Sequence, residues 1–326
     1  TDIAKKIYEI IDESVTDKND PAQYEVASKK IRELIESTAM PKEIENAIKN
    51  AYEEMNRKLD IKDTFVAVRS SATAEDLADA SFAGQQETFL NIRGVKGVVQ
   101  NTVKCWSSLF TPRAIFYRNE KGFAHEKVFI SVGVQKMVNS RAAGVMFTLN
   151  PVTGDLSKTV IEGNYGLGEA VVSGSVTPDD FVVDKTSMKI VERRLAKKTI
   201  QYIRDLKTGH TVHEEVPADI QELPCVTDEE VIRLAELGKR IEKHYGKPQD
   251  IEWAIDRDIP TAPQNTFIVQ SRPETVWSQK PAETPGKSEG GEMKMSELKV
   301  VVKGIAAGKR GFGIGIAKVV SNPQEA

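Results

Sequence analysis

Arg69 is a single cation at the head of a run of small and hydroxylated residues. The stretch VAVRSSATAEDLADASFAGQQETFLNI (66–92) continues from it through Ser70, Ser71, Ala72, Thr73 and Ala74 to the acidic pair Glu75 and Asp76. A second small-residue turn follows at 81–86 and contains Gly84. Small residues let backbone N–H groups come close to an anion, and hydroxyls add donors. TFVAVR (64–69) reads as a β-branched strand that ends at Arg69, so the guanidinium has a rigid base from which to grip a phosphate through two nitrogens. Gly84 allows close backbone approach with no Cβ in the way. Composition leaves an anion-binding loop and an ordinary Ser/Ala-rich loop with one surface arginine equally open.

A second polar set lies far along the chain, in QDIEWAID (249–256) and NTFIVQSR (265–272). On a strand, Asp250 and Glu252 share one face while Ile251, Trp253 and Ile255 share the other. Gln270 and Arg272 likewise share a face of the following strand. If these polar faces coincide, two carboxylates, an amide oxygen and a guanidinium converge. That oxygen-rich set suits Mg²⁺, which takes few protein ligands and completes its shell with phosphate oxygens and water. Arg272 would offset remaining phosphate charge. A solvated hairpin face is the ordinary alternative; the clean apolar alternation pins the register against a core and weighs against it.

Other polar features carry less. EGNYGLGEAVVSG (162–174) lacks both the G-x-G-x-x-G and the G-K-[ST] pattern, and a loop needing positive φ at Gly166 and Gly168 accounts for it equally well. Gln135 is a polar residue in an apolar strand, where a buried amide is usually satisfied by backbone. The four histidines, His125, His210, His213 and His244, are scattered, and His210-x-x-His213 reads as a surface accident in an exposed segment. There is no Ser/His/Asp or Cys/His arrangement to defend.

Helices and strands must position these residues. Three helical patterns open the chain, with Ile3, Ile7, Ile10 and Ile11 on one face, then Val26, Ile31, Leu34 and Ile35, then Ile44, Ile48, Ala51 and Met55. Pro41 suits the first turn of the third. Residues 95–118 are helical in pattern, and 127–138, 142–150, 158–166 and 180–184 read as strands. Thr227 and Glu230 are spaced as a capping box for a helix from Asp228, which Gly246 and Pro248 end. The two strands of the polar set flank a loop with Pro260 and Pro263, a hairpin with a long connection. Mixed helices and strands without strict alternation point to an α+β or mixed α/β fold in at least two lobes.

Composition excludes several classes. The chain has 326 residues, 40% hydrophobic and 29% charged, with net charge −3, so no basic field favours nucleic acid or an acidic membrane. No apolar run has the length of a bilayer span, and no signal peptide is visible. Cys105 and Cys225 have neither metal-ligand nor disulfide-framework spacing, which fits a reduced, cytoplasmic compartment.

Taken in order, RSSATAEDLADASFAGQQETFL, AAGVMFTLNPVTGD, GLGEAVVSGSVTPDDFVVD and the pair DIEWAID and FIVQSRPET resemble the nucleotide-binding domain of the phosphoenolpyruvate synthase and pyruvate phosphate dikinase family. Rifampin phosphotransferase and phenylphosphate synthase share that domain, and the wording here is closest to phosphoenolpyruvate synthase. The resemblance implies an ATP-grasp fold over residues 1–277, two lobes closing on ATP, with Mg²⁺ as cofactor. By motif, Arg69, Gly84 and Thr88 would contact ATP, the arginine on its phosphates, and Gln135 would sit in the nucleotide cleft. Glu252 and Gln270 would hold Mg²⁺–ATP with Asp250 assisting, and Arg272 would lie on the phosphates. Arg113 and Arg118 of LFTPRAIFYR fall in a matching segment and receive no role.

In that family phosphate passes from ATP to a histidine on a separate swivelling domain and then to pyruvate or another acceptor. The chain is therefore expected to be the phosphoryl-donating part of an enzyme that converts ATP, pyruvate and water to phosphoenolpyruvate, AMP and phosphate. Pyruvate is not expected to bind this part. The family's glycine-rich segment with its phosphate-gripping lysine is expected upstream of Thr1. Residues 278–297 read as a Pro/Gly/Ser-rich linker and 298–326 as the incomplete start of the phosphohistidine domain, with no histidine after His244. Two alternatives are the ATP-binding subunit of a split phosphotransferase and a non-catalytic nucleotide-binding module. The retained Glu252, Gln270 and Arg272 disfavour the second. The oligomeric state is open, a homodimer included.

Overall fold

Helix-terminal chemistry explains the first three elements of this computed structural model, which describes residues 2–73, 76–77, 80–81, 87–205, 208–259, 262–275 and 277. α1 (Asp2–Ser14) is followed by α2 (Pro21–Ser37), where the Asp20 side chain accepts from the Ala22 N–H and Pro21 sits in the first turn. α3 (Lys42–Leu59) ends on Asp60 in the left-handed region at φ 52°. Ile7 and Ile11 pack against Tyr24, Ala27 and Ile31. Each of these isoleucines contributes about 1.5–3 kcal/mol when fully buried. The expected stripes need correction: Val26, Ile44 and Ala51 are exposed. At 100° per residue Val26 points almost opposite to Tyr24, which, with Ala27 and Ile31 at i+3 and i+7, forms the buried face. Ala51 gives way to its neighbour Tyr52, the buried residue of α3, whose hydroxyl donates to the Thr64 carbonyl at 2.7 Å.

Among the described residues, the first sheet has the order β4-β1-β5 and is antiparallel. Its strands are β1 (Val66–Ala72), β4 (Thr88–Ile92) and β5 (Ile130–Lys136); β2 (Asp76–Leu77) and β3 (Ala80–Ser81) form a separate two-stranded hairpin between β1 and β4 in the chain. Between β4 and β5 lie α4 (Val95–Ser107) and α5 (Pro112–Lys121), joined through a 3-10 turn at Ser108–Phe110. The helical pattern over 95–118 is thus two helices, because Thr111 caps a new one with Pro112 in its first turn. Val66 and Val68 pack with Tyr52, Val98 and Cys105 beneath this sheet.

The second sheet is antiparallel in the order β13-β12-β6-β7-β8-β9. Its strands are β6 (Ser140–Phe147), β7 (Lys158–Tyr165), β8 (Asp179–Asp184), β9 (Lys189–Arg194), β12 (Gln249–Asp256) and β13 (Thr266–Pro273). The short α6 (Glu169–Val172) follows β7, and a separate hairpin of β10 (Ile200–Arg204) and β11 (Thr211–Glu215) precedes α7 (Asp228–Tyr245). α7 carries the expected capping box between Thr227 and Glu230 and ends at Gly246, φ 68°. Its Val231, Leu234 and Ala235 cover a core of Met146, Ile161, Phe181, Ile251, Trp253 and Ile255. Gly144 in β6 admits no side chain, since a Cβ would lie 1.9 Å from the Glu162 carbonyl oxygen.

A fully buried ion pair ties the connection after β9 to this sheet. Lys198 Nζ lies 2.7 Å from Asp179 Oδ1, both side chains at 0% exposure. Asp179 also accepts from the backbone N–H of Ala196 (2.9 Å) and Cys225 (2.8 Å). Cys105 and Cys225 are buried free thiols. The fold is therefore mixed α and β with antiparallel sheets, and no helix among the described residues is long and apolar enough to cross a membrane. The expected linker, 278–297, and phosphohistidine start, 298–326, lie outside the described residues.

Candidate functional site

β12 and β13 pair so that Asp250 faces Arg272 and Glu252 faces Gln270. The polar faces therefore coincide. Arg272 Nε and Nη2 both donate to Asp250 Oδ2 at 3.0 Å. Across from this hairpin, Arg69 projects from β1 with its side chain 19% exposed. Its Nη2 donates to Glu252 Oε2 at 3.0 Å and to Gln270 Oε1, and its Nη1 donates to Gln135 Oε1 at 3.4 Å. Gln135, on β5, donates from Nε2 to the Val269 carbonyl at 3.2 Å. One guanidinium thus ties the first sheet to the second, and residues 183 and 201 positions apart meet on a single nitrogen.

Several expectations change here. Arg69 does not end its strand: β1 runs on to Ala72, because Ser70, Ser71 and Ala72 pair with Val132, Ser131 and Ile130 of β5. Small residues that look like a loop in isolation are held extended once a partner strand takes their backbone groups. Gln135 is exposed on the cleft rather than buried in its strand, and it does use a backbone carbonyl. Gly166 has φ +80°, whereas Gly168 is right-handed at −65° and caps α6. Gly84 lies outside the described residues. Thr88 stands directly opposite Arg69 in the β1–β4 ladder.

Arg69, Thr88, Gln135 and Glu252 line one cleft of about 730 Å³ between the sheets, a size typical of small-molecule sites. Its remaining wall includes residues that the sequence did not single out for binding, notably Leu90, Met137, Val138, Leu167 and His213. The sequence singles out Thr88, Gln135 and the Gly166–Gly168 pair near them, but which of their neighbours reach the cleft depends on the pairing of distant strands. The β10–β11 hairpin, which supplies His213, went unread because its residues alternate weakly.

The oxygens give a test of fit for a divalent cation. Glu252 Oε2 and Gln270 Oε1 already converge on one positively charged nitrogen, while Asp250 is turned to Arg272. No group of three or more His, Cys, Asp or Glu side chains among the described residues is placed to hold a metal. A carboxylate and an amide oxygen are hard donors, and two protein ligands are the number Mg²⁺ commonly takes beside phosphates. Glu252 and Gln270 fit that ion; Asp250 fits better as the partner of Arg272.

A second polar cluster lies away from the cleft. Arg118, fully buried in α5, donates from Nε to His125 Nδ1 at 2.8 Å, and His125 Nε2 pairs with Asn119 Oδ1 at 2.9 Å. Burial, and then the neighbouring Arg118 charge, push the His125 pKa down to about 4. Burial lowers that of Arg118 to about 10. This imidazole is neutral and holds a helix to a turn.

Comparison with known proteins bears on these features together. Residues 1–292 match the family described as Pyruvate phosphate dikinase, AMP/ATP-binding domain. The chain is 48% identical over 352 residues to a probable phosphoenolpyruvate synthase of Staphylothermus marinus, covering 99% of this chain and 41% of that protein. It is 46% identical over 312 residues to the phosphoenolpyruvate synthase of Pyrococcus furiosus, covering 94% and 37%. It is 45% identical over 325 residues to a probable phosphoenolpyruvate synthase of Methanocaldococcus jannaschii, covering 100% and 26%. The chain spans less than half the length of these relatives. With its cleft between two sheets and a match across nearly all of its length, the chain belongs to the phosphoenolpyruvate synthase and pyruvate phosphate dikinase family, as a member of the AMP/ATP-binding domain family.

Proposed function

We propose that this chain binds ATP with Mg²⁺ in the cleft and is the phosphoryl-donating part of a phosphoenolpyruvate synthase. The observation that carries this reading is the convergence of Glu252 and Gln270 oxygens on Arg69 Nη2. It is an oxygen pair organised around a positive charge that lines a nucleotide-sized cleft. Two sheets that face each other across that cleft support an ATP-grasp arrangement in which two lobes close on ATP over residues 1–277.

Phosphoryl transfer rests on positioning and charge neutralisation more than on acid–base chemistry. Mg²⁺, when bound, draws charge from the phosphates. Glu252 and Gln270 would hold the ion, and Arg69, freed of their oxygens, would bind phosphate oxygens. Asp250 keeps the Arg272 guanidinium aimed and partly neutralised until phosphate oxygens compete for it. Thr88, opposite Arg69, and Gly84 add contacts from the β3–β4 segment, and Gln135 orients the nucleotide from β5. The segments 278–297 and 298–326 are the linker and the start of the phosphohistidine domain. The whole enzyme makes phosphoenolpyruvate, AMP and phosphate from ATP, pyruvate and water in the cytoplasm, through a phosphohistidine.

Calorimetric titration of Mg·ATP against the chain and Arg69→Ala tests the reading. A hydrogen bond to a charged group is worth about 1.5–3 kcal/mol, and part of that offsets the bonds Arg69 gives up. The variant should therefore bind roughly tenfold more weakly. Equal affinities would remove Arg69 from the site.

A further inference from the structure

The β10–β11 hairpin, which supplies Thr211 and His213 to the cleft wall, touches elements of both sheets. On the side of the second sheet, Asn164 Nδ2 donates to the Ile200 carbonyl at 2.9 Å and the Leu167 N–H to the Tyr202 carbonyl at 2.7 Å. Gly166 makes that approach feasible, since a Cβ there would lie 2.3 Å from the same Tyr202 oxygen. On the side of the first sheet, the Arg204 guanidinium lies 4.1 Å over the Phe65 ring, and Asn91 Nδ2 donates to Thr211 Oγ1 at 2.9 Å. Asn91 neighbours Ile92, which pairs with Val66, and the Met137 N–H donates to the Phe65 carbonyl. This is where β5 runs into β6, three residues along β1 from Arg69.

Alternation on β11 sends Thr211 and His213 to one face, and both line the cleft. Tyr202 and His213 are cross-strand partners whose rings stack in parallel, with centroids 3.7 Å apart and planes within 6°. The Tyr202 hydroxyl donates to Ser175 Oγ at 3.2 Å, so the backing ring is anchored at its far end. The same cleft is lined by Leu90, Ile92, Met137, Val138, Leu167 and Val172, with Lys136 and Glu169 also on its wall. The cleft thus carries both the charged and amide groups of Arg69, Gln135 and Glu252 and, from the hairpin, a stacked aromatic pair.

We infer that His213, backed by Tyr202, is the residue against which the base of the bound nucleotide packs, and that it sets how strongly the nucleoside part contributes to binding. A flat base finds there a ring already oriented by its neighbour, and the triphosphate then extends toward Arg69 and Glu252. The inference rests on the Mg·ATP reading above. His213 is exposed, as its sequence suggests, and its place on the cleft wall gives that exposure a role.

Titration of Mg·ATP and of Mg·tripolyphosphate against the wild-type chain, His213→Ala and His213→Phe tests it. Stacking of a base on an aromatic side chain typically contributes enough that its removal weakens binding about tenfold. His213→Ala should lower ATP affinity by about that factor while tripolyphosphate binding stays unchanged. His213→Phe should keep ATP affinity within about threefold, because it keeps a ring on Tyr202. If His213→Ala binds ATP as the wild type does, or if His213→Phe fails as badly as His213→Ala, the stacking role is wrong. Equal losses for both ligands would mean a general structural effect and would also overturn it. A wild-type chain that binds neither ligand would instead defeat the nucleotide reading itself.

Discussion

Replacing Glu252 by glutamine should strengthen ATP binding without metal and weaken it with Mg²⁺. Glu252 Oε2 lies 3.0 Å from Arg69 Nη2 with its side chain 30% exposed. Two unit charges about 4 Å apart interact by roughly 1 kcal/mol in bulk water and roughly 4 kcal/mol at the effective dielectric near a protein surface. A partly exposed carboxylate falls between, at about 2 kcal/mol. A metal-free triphosphate approaching Arg69 must compete with that carboxylate for the guanidinium and also faces its like charge. Glu252→Gln keeps the side chain's shape and one acceptor but removes the charge. About 1.4 kcal/mol of the opposition should vanish after screening, a tenfold gain in affinity measured in a chelator. With excess Mg²⁺ the same change removes the charged ligand of the ion, and affinity should fall about tenfold or more. Isothermal titration of both proteins in both media gives the ratio of the metal-supported to the metal-free constant, which should drop about a hundredfold in the variant. A ratio equal to that of the wild type would refute the idea that Arg69 and a cation contend for one carboxylate.

Two further expectations concern stability. Asp179→Ala leaves Lys198 buried without its partner and should cost about 3–5 kcal/mol in urea denaturation, while Asp179→Leu with Lys198→Met should recover much of it. The His125 pKa, pushed down to about 4 by burial and then by Arg118, lies below the unfolded value near 6.5. The unfolded chain therefore binds the proton first on acidification. The stability from the neutral ring is fully present above about pH 6.5 and is lost as pH falls toward 4, by up to roughly 1.4 kcal/mol per unit. The urea midpoint of His125→Gln should lack that part of the slope.

Much of what positions the site was legible locally. The alternation in 249–256 and 265–272 anticipated the β12–β13 hairpin, and Thr227, Glu230 and Gly246 marked both ends of α7. The Arg69 segment was harder to read. Its Ser and Ala residues have no strong preference, and a strand through Ala72 exists because β5 lies alongside it. β4, β9 and the β10–β11 hairpin were not seen either. Side chains of β9 are largely exposed and those of β4 and β10 mostly half-buried, so burial leaves little alternation to read, and the exposed His213 gains a partner only when Tyr202 stands behind it.

The sequence by itself determined which side chains share a face in the strands it revealed: Asp250 with Glu252, and Gln270 with Arg272. That follows from the pleat of a strand, in which neighbours alternate whatever the surroundings. Only the tertiary structure decided that Arg69 meets Glu252 across 183 residues, that Asp250 belongs to Arg272, and that a hairpin brings an aromatic pair to the cleft. Those meetings depend on how two sheets and their helices bury apolar surface against one another. No local period encodes that sum of many small contacts.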